Sequence, residues 1–363
     1  MADFRGDRRD ALVALLDEAG LDGLIVSHMP NVRYLTGFSG SAAVVVVFPD
    51  ELVFFSDFRY RVQAEHDIGD AARIEIVPND IWSRVWRVVA ERRRLGRLGF
   101  EGHVVSVKQA AEFTPPDFAA LLEPARPLVE QLRARKDPSE VAAIREAARL
   151  ACEALESALG QIRVGFSELE VAATLESELR LRGSEWHPFP TIAASGPRSA
   201  LPHAGTTSRV IQPGELVLLD FGAQVDGYCA DITRTVLMGR TADERQRVAY
   251  DLVREAHRRA VGGIHAGMSG READGLARSV IEERGFGDAF GHSLGHGLGL
   301  EVHENPRVSK ANEAALPEAA VVTVEPGLYF PGWGGVRIED DVFLSAEGCE
   351  LLSDGMTELR ELT

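Results

Sequence analysis

Asp220, Asp231, His296, Glu325 and Glu339 have the types and order of a two-metal hydrolytic site, and each sits in a restrictive sequence context. Asp220 ends an apolar run in GELVLLDFGA, and Asp231 follows eleven positions later in DGYCADITRT, a second run rich in strand formers. The Asp226-Gly227 pair between them signals a hairpin, which predicts two carboxylates side by side on adjacent strands. His296 lies in GHSLGHGLGLEVHENP, Glu325 closes VVTVEPG, and Glu339 alternates with apolar neighbours in GGVRIEDDV. Period-two alternation puts Arg337 and Glu339 on one strand face and Val336 and Ile338 on the other.

Charge decides what such a set can do. Carboxylates crowded together and buried without partners cost more than a fold can supply, so cations must accompany them. Two divalent ions cancel four acids, and a nearby Arg337 offsets the charge that an added hydroxide would bring. Metal ions roughly 3.5–4 Å apart lower the pKa of a water between them and polarise a carbonyl oxygen, which is the equipment of a hydrolase. Acid-rich ligation with one imidazole suits Mn(II) or Co(II), with Zn(II) also admissible. Taken singly, each acid reads as a surface charge or a strand-end ion pair. Together, apolar runs ending in acids describe buried strands that feed a polar cleft.

The elements that must position these residues are marked by helix caps. Asp137 is a good N-cap, Pro138 suits the first helical position and Glu140 completes a capping box, so a long helix starts there. The same device recurs at Ser167/Glu170, Thr241/Glu244 and Ser269/Glu272, with Gly183 and Gly285 as helix stops. The order is helix, helix, strands, then helix, helix, strands: two similar halves. Before about residue 130, helical stretches such as RRDALVALLDEAG alternate with strands such as GLIVS and LVFFSD, which predicts a smaller α/β domain. The expected domains are therefore 1–130 and 137–363.

Composition narrows the setting. With 363 residues, 45% of them hydrophobic, the chain is long enough for two cored domains. A net charge of −17 excludes nucleic acid and anionic membrane as partners. Cys152, Cys229 and Cys349 form no CxxC pair and are odd in number, which predicts reduced thiols in a cytoplasmic protein. No apolar stretch approaches the ~18 residues of a membrane span, and the start MADFRGDRRD lacks the apolar core of a signal peptide.

At the residues named first, the chain resembles the pita-bread metallopeptidases, the family of methionine aminopeptidase, aminopeptidase P, prolidase and creatinase. The matching pieces are SGPRSALPHAG around His203, LLDFGAQVDGYCADITRT, GHGLGLEVHENP, TVEPGLY and GGVRIEDD, in the family's order. In the first half, NVRYLTGFSGS and SDFRY resemble the amino-terminal domain of the proline-specific branch. The resemblance implies an α/β (α+β) fold, a pita-bread catalytic domain behind a creatinase-type domain that serves in oligomerisation and access to the site. It implies Asp220, Asp231, His296, Glu325 and Glu339 as ligands of two divalent ions, and proline-containing peptides as substrates. His303 is then the substrate-facing histidine that stabilises the developing oxyanion, and His203 helps hold the scissile carbonyl. Glu325 is both ligand and proton shuttle. His292 imitates a second ligand on one helix face, but four glycines from Gly291 to Gly299 argue against a helix, so it reads as lining. Their dinucleotide-loop look fails for want of a strand-turn-helix context.

Proline specificity needs an apolar slot, for which Tyr329, Phe189 and Trp333 are candidates. A dipeptidase also needs a cation for the carboxylate after proline, and Arg337, Arg307 and Arg198 are candidates. Compact length and the DFRY segment incline the reading to an Xaa-Pro aminopeptidase, with an Xaa-Pro dipeptidase as the alternative. A metal-free creatinase-like amidinohydrolase and a non-catalytic peptide-binding module are more remote, because neither has reason to keep the whole acid set. In the resembling branch the amino-terminal segments approach a neighbour's site, which implies a homodimer or a dimer of dimers.

Overall fold

In the computed structural model, which describes residues 3–92, 95–119, 121–353 and 355–362, the chain divides into two units, Met1–Arg133 and Ala134–Thr363. Met1 and Thr363, the outer ends of the expected domain spans, lie outside the described residues.

Short apolar runs build one sheet in the first unit. Its strands β1 (Gly23–Val26), β2 (Val44–Val47), β3 (Leu52–Asp57), β4 (Arg73–Val77), β5 (Leu98–Glu101) and β6 (Leu122–Ala125) lie in the order β4-β3-β2-β1-β5-β6. β2 runs antiparallel to both neighbours and the outer pairings are parallel. The four valines of β2 are all buried, as expected of a strand covered on both faces. The helices are α1 (Arg5–Ala19), α2 (Met29–Thr36), α3 (Arg61–Ile68), α4 (Ile81–Ala90), α5 (Val107–Phe113) and α6 (Leu128–Arg133). Val85, Trp86, Val88 and Val89 of α4 pack against Val44, Val46, Val53 and Phe55 of the sheet.

The second unit alternates helix pairs with sheets. Its helices are α7 (Pro138–Leu159), α8 (Glu168–Leu181), α9 (Glu244–Val261) and α10 (Gly270–Glu283). Capping boxes close at Asp137/Glu140, Ser167/Glu170 and Ser269/Glu272, and Gly183 and Gly285 follow helix ends with φ of 102° and 80°. The expected box at Thr241/Glu244 does not form. Asp243 caps instead, accepting from the Gln246 amide at 2.8 Å while Gln246 returns the bond at 3.0 Å. Two cap formers compete there, and the carboxylate at Asp243 is favoured by the helix dipole.

Between the helix pairs lie β7 (Ile192–Ser195), β8 (Leu216–Phe221), β9 (Gln224–Val225), β10 (Tyr228–Cys229) and β11 (Ile232–Met238). After them come β12 (Gly295–Gly297), β13 (Glu304–Val308), β14 (Val321–Val324), β15 (Gly327–Phe330), β16 (Gly334–Arg337), β17 (Asp340–Leu344), β18 (Cys349–Leu351) and β19 (Glu361–Leu362). One sheet has the order β19-β11-β8-β7 and another β13-β12-β14-β17-β18. An isolated antiparallel bridge, Thr233 to Glu339, joins them. Tyr250, Val253 and Ala256 of α9 and Ala273 and Ala277 of α10 share one core cluster with Val322, Val324, Val336 and Ile338. This is the two-part α/β organisation that the resemblance implies.

Candidate metal centre

The Asp226-Gly227 turn forms as expected, with both residues at positive φ (48° and 75°), but it closes only the short pair β9 and β10. Gly222, Ala223 and Ala230 separate that pair from the longer β8/β11 ladder, in which Asp220 lies opposite Thr233. Asp231 stands one residue before β11. The two acids therefore meet at the break in the ladder rather than as a paired rung, and the charge of Asp220 is one of the causes that raise the Asp231 pKa, after burial and Glu339.

Asp231, His296 and Glu339 converge: each offers a ligand atom within 4.8 Å of the others, and all three are buried. His296 Nδ1 donates to the Gly297 carbonyl at 3.1 Å, which leaves the Nε2 lone pair free to face Asp231 Oδ2 at 3.8 Å and Glu325 Oε1 at 3.5 Å. Burial holds this imidazole neutral by pulling its pKa down to about 3. Glu325 is further oriented by the Thr323 hydroxyl at 3.3 Å. Asp220 turns its Oδ2 to the Arg337 guanidinium. Arg337 and Glu339 do share a face, while Val336 and Ile338 enter the core.

The electrostatics fit cations. Burial first, then Glu339 and Asp220, push Asp231 well above the usual carboxylate range. Burial and Glu339 do the same to Glu325, and burial and Asp220 take Glu339 up to about 7. Asp231 Oδ1 is buried with no hydrogen-bond partner among the described residues. Acids that raise one another's pKa around an orphaned oxygen are a donor set for divalent ions.

A cavity of about 480 Å³ opens over these groups. His203, His292, His303, Arg307, Phe189, Ile192 and Val302 line it with the five donors and Arg337. The His303 ring lies 4.2 Å from that of His296, centroid to centroid. No helix forms around His292; its Nε2 accepts from the Tyr329 hydroxyl at 2.9 Å, and its Nδ1 donates to the Ser293 carbonyl at 2.8 Å. Burial lowers the His292 pKa to about 4, consistent with that neutral tautomer. Tyr329 sits one layer behind the wall, its hydroxyl accepting from Arg337 at 2.9 Å. Trp333 lines no part of the cavity; it packs under the Arg245 guanidinium and beside Phe330. At this hairpin tip Trp333 is half-buried against the core cluster, a placement that strand alternation cannot predict.

The three candidate cations differ sharply. Arg337 spends its donors on Thr233, Pro202, Tyr329 and Asp220. Arg198 is held by Glu168 and the Gly205 carbonyl. Arg307 lines the cavity, and no carboxylate among the described residues pairs with its guanidinium.

Some supporting residues escape sequence reasoning. The Thr233 hydroxyl accepts from Arg337 at 2.9 Å and donates to Glu339 at 2.5 Å, and Asp341 accepts from the Asp231 amide at 3.1 Å. The only local signal is that Thr233 follows Asp231 at a spacing of two, on the same strand face.

Comparison with known proteins places this geometry. Residues 142–346 match the model of metallopeptidase family M24, and residues 8–135 that of the creatinase/prolidase N-terminal domain. An Xaa-Pro dipeptidase of Pyrococcus furiosus is 35% identical over 97% of this chain and 99% of its own length. The structure of an Xaa-Pro dipeptidase from Bacillus anthracis superposes with a TM-score of 0.95 at 40% identity, covering 99% of this chain and 100% of that one. An X-Pro aminopeptidase from Thermotoga maritima gives 0.90 at 35%, covering 97% and 99%.

Proposed function

Because this chain belongs to metallopeptidase family M24 and is an Xaa-Pro peptidase, we propose that it is an Xaa-Pro dipeptidase in which Arg307 receives the carboxylate of the proline. The observation that carries this reading is an unpaired guanidinium on the wall of the cavity that contains the acid cluster. A dipeptide ends in a carboxylate one residue past the scissile bond, and a charge-assisted bond there favours it over longer peptides. The dipeptidase names of full-length relatives support it over the aminopeptidase reading, to which chain length and the DFRY segment incline. Those two features do not bear on the carboxylate end of a substrate.

Asp220, Asp231, His296, Glu325 and Glu339 would hold two divalent ions, Mn(II) or Co(II) by the hardness of the oxygen donors. Such ions supply Lewis-acid activation of the carbonyl and of water at neutral pH. The remaining steps fall to the chain. Glu325 holds the proton taken from the nucleophile and passes it to the proline nitrogen, a role supported by its place on the cavity wall and its orientation by the Thr323 hydroxyl. His303 and His203 face the cavity from two sides and donate to the substrate's oxygen. Phe189, Ile192 and Val302 offer the apolar slot for the ring. Arg337, anchored through Tyr329 to His292, favours the charged form of Asp220 against the burial that raises its pKa.

The protein is also proposed to be a homodimer or dimer of dimers, in which the first unit serves in assembly and in access to the site; Phe58 and Val62 of that unit are 67% and 78% exposed. Three free cysteines, Cys152, Cys229 and Cys349, fit a reducing cytoplasm. No helix among the described residues is long and apolar enough to cross a membrane.

The deciding experiment compares Ala-Pro, Ala-Pro-amide and Ala-Pro-Ala on the Mn(II)-loaded enzyme and on Arg307→Ala. Ala-Pro should be preferred, and Arg307→Ala should raise its KM roughly 10- to 100-fold while leaving the amide unchanged. Faster turnover of the tripeptide, unaffected by Arg307→Ala, would establish the aminopeptidase reading instead.

A further inference from the structure

One fully buried carboxylate lies outside the acid cluster yet touches the loop that brings His203 to the cavity. Glu168, the first residue of α8, is 0% exposed. Its Oε1 accepts from the Ser195 amide and the Ser195 hydroxyl, both at 2.9 Å. Its Oε2 accepts from the Thr207 amide at 3.1 Å and the Thr207 hydroxyl at 2.6 Å. Arg198 Nε lies 3.2 and 3.1 Å from the two oxygens.

These contacts have a simple topology. Ser195 is the entry and Thr207 the exit of the loop that contains the 3₁₀ turn Gly196–Ala200 and then His203. One oxygen holds each end, and Arg198, rooted on the same carboxylate, reaches the Gly205 carbonyl across the loop. The entry is in register with the metal centre: β7 pairs with β8, Ser195 opposite Val217 and Ile192 opposite Asp220. Backbone bonds add a second tie, from the Glu168 amide to the Arg209 carbonyl at 2.9 Å and from the Leu169 amide to the Thr207 carbonyl at 3.0 Å. His203 itself is exposed. Its position over Asp220 is thus set by ties on the loop's backbone, at the two ends through Glu168 and beside it through the Arg337 bond to the Pro202 carbonyl at 3.1 Å, and not by packing of its ring.

We propose that Glu168 is a positioning residue for the reaction: by clamping Ser195 and Thr207 it fixes the height at which His203 meets the substrate carbonyl. A buried acid is retained here because five donors and the α8 N-terminus compensate it. Catalytic geometry tolerates little slack, since a displacement near 1 Å can cost on the order of a hundredfold. The inference rests on the role given to His203 above.

A double-mutant cycle tests it. Glu168→Gln and Thr207→Val are made alone and with His203→Ala, and kcat and KM for Ala-Pro, bound metal and thermal midpoint are measured on the full chain. Thr207→Val removes one donor without leaving a buried charge unpaired, so it serves even if Glu168→Gln fails to fold. The expected result is a roughly tenfold or greater fall in kcat with metal content unchanged, restored by Thr207→Ser. In the His203→Ala background the same changes should cost less than about twofold, the signature of action through one residue. Equal losses in both backgrounds, or loss of metal, would overturn the clamp while leaving His203 in its role. A wild-type kcat for His203→Ala alone would instead remove the role of His203, and the clamp with it.

Discussion

Thr233 and Glu339 bind each other twice across an isolated bridge: the Glu339 amide donates to the Thr233 carbonyl at 3.1 Å, and the Thr233 hydroxyl donates to the Glu339 carboxylate at 2.5 Å. Since the same hydroxyl accepts from Arg337, its proton has one direction to point, and Glu339 has one orientation to take. Thr233→Val keeps the shape and the backbone bond but removes both hydroxyl bonds, to Glu339 and from Arg337. It is expected to weaken Mn(II) affinity roughly 10- to 100-fold without unfolding the protein, as read by calorimetric titration. Thr233→Ser should recover most of the loss.

Exhaustive chelation is expected to abolish turnover, and Mn(II) or Co(II) to restore it. The thermal midpoint should rise with added ion, because the donor cluster exists only in the folded chain. Asp231→Asn should lose both effects together. Undiminished activity in metal-stripped protein would remove the acids from catalysis.

His303→Ala should retain bound metal and lower kcat roughly 10²- to 10³-fold, the usual loss of a donor to a developing oxyanion. Its ring packs on His296, so metal content must be measured on the same sample. An unchanged kcat would leave His303 as a packing group.

Acid should destabilise the first unit through Glu130. Desolvation raises its pKa, but His28 at 3.9 Å and hydrogen bonds with Asn31 at 2.6 Å and His103 at 2.8 Å outweigh it and take the value from 4.5 to about 2. A depressed carboxylate contributes stability that is present above the unfolded pKa and is lost as pH falls from 4.5 toward about 2. Hydrogen exchange in the first unit, followed from pH 5 to pH 3, should show a steeper loss in the wild type than in Glu130→Gln; parallel profiles would assign acid sensitivity elsewhere.

If Phe58 and Val62 are covered by a second copy, Phe58→Asp should shift the mass in light scattering from dimer to monomer. A wild type that is monomeric and fully active at low concentration would end the assembly proposal.

Much of the centre is legible because its ligands terminate apolar runs. Asp220 and Glu325 follow strand residues whose burial the runs announce, and alternation around Ile338 assigns Glu339 its face. Caps at Asp137, Ser167 and Ser269 are local chemistry and are read locally. The Thr241 box fails since Asp243 offers a competing cap two residues on. Thr233 and Glu168 are opaque for another reason. A threonine in a strand and a glutamate in a first helical turn are ordinary residues, and only contacts 106 and 39 positions away give them meaning. Trp333 looks like a slot residue by type, but type says nothing of which side of a hairpin tip is occupied.

The bridge between the sheets also bears on how the protein is made. Its partners are 106 residues apart, so on the ribosome Asp220 and Asp231 emerge, and their sheet can pair, well before Glu339 exists to complete the cluster. Until then the early acids face only one another. The late strand must arrive in correct register for the ion to be captured, because a one-residue slip would present Ile338 or Asp340 in place of Glu339. A mis-threaded chain would thus carry the same donors without assembling the cluster, so the centre depends on the register of one late strand.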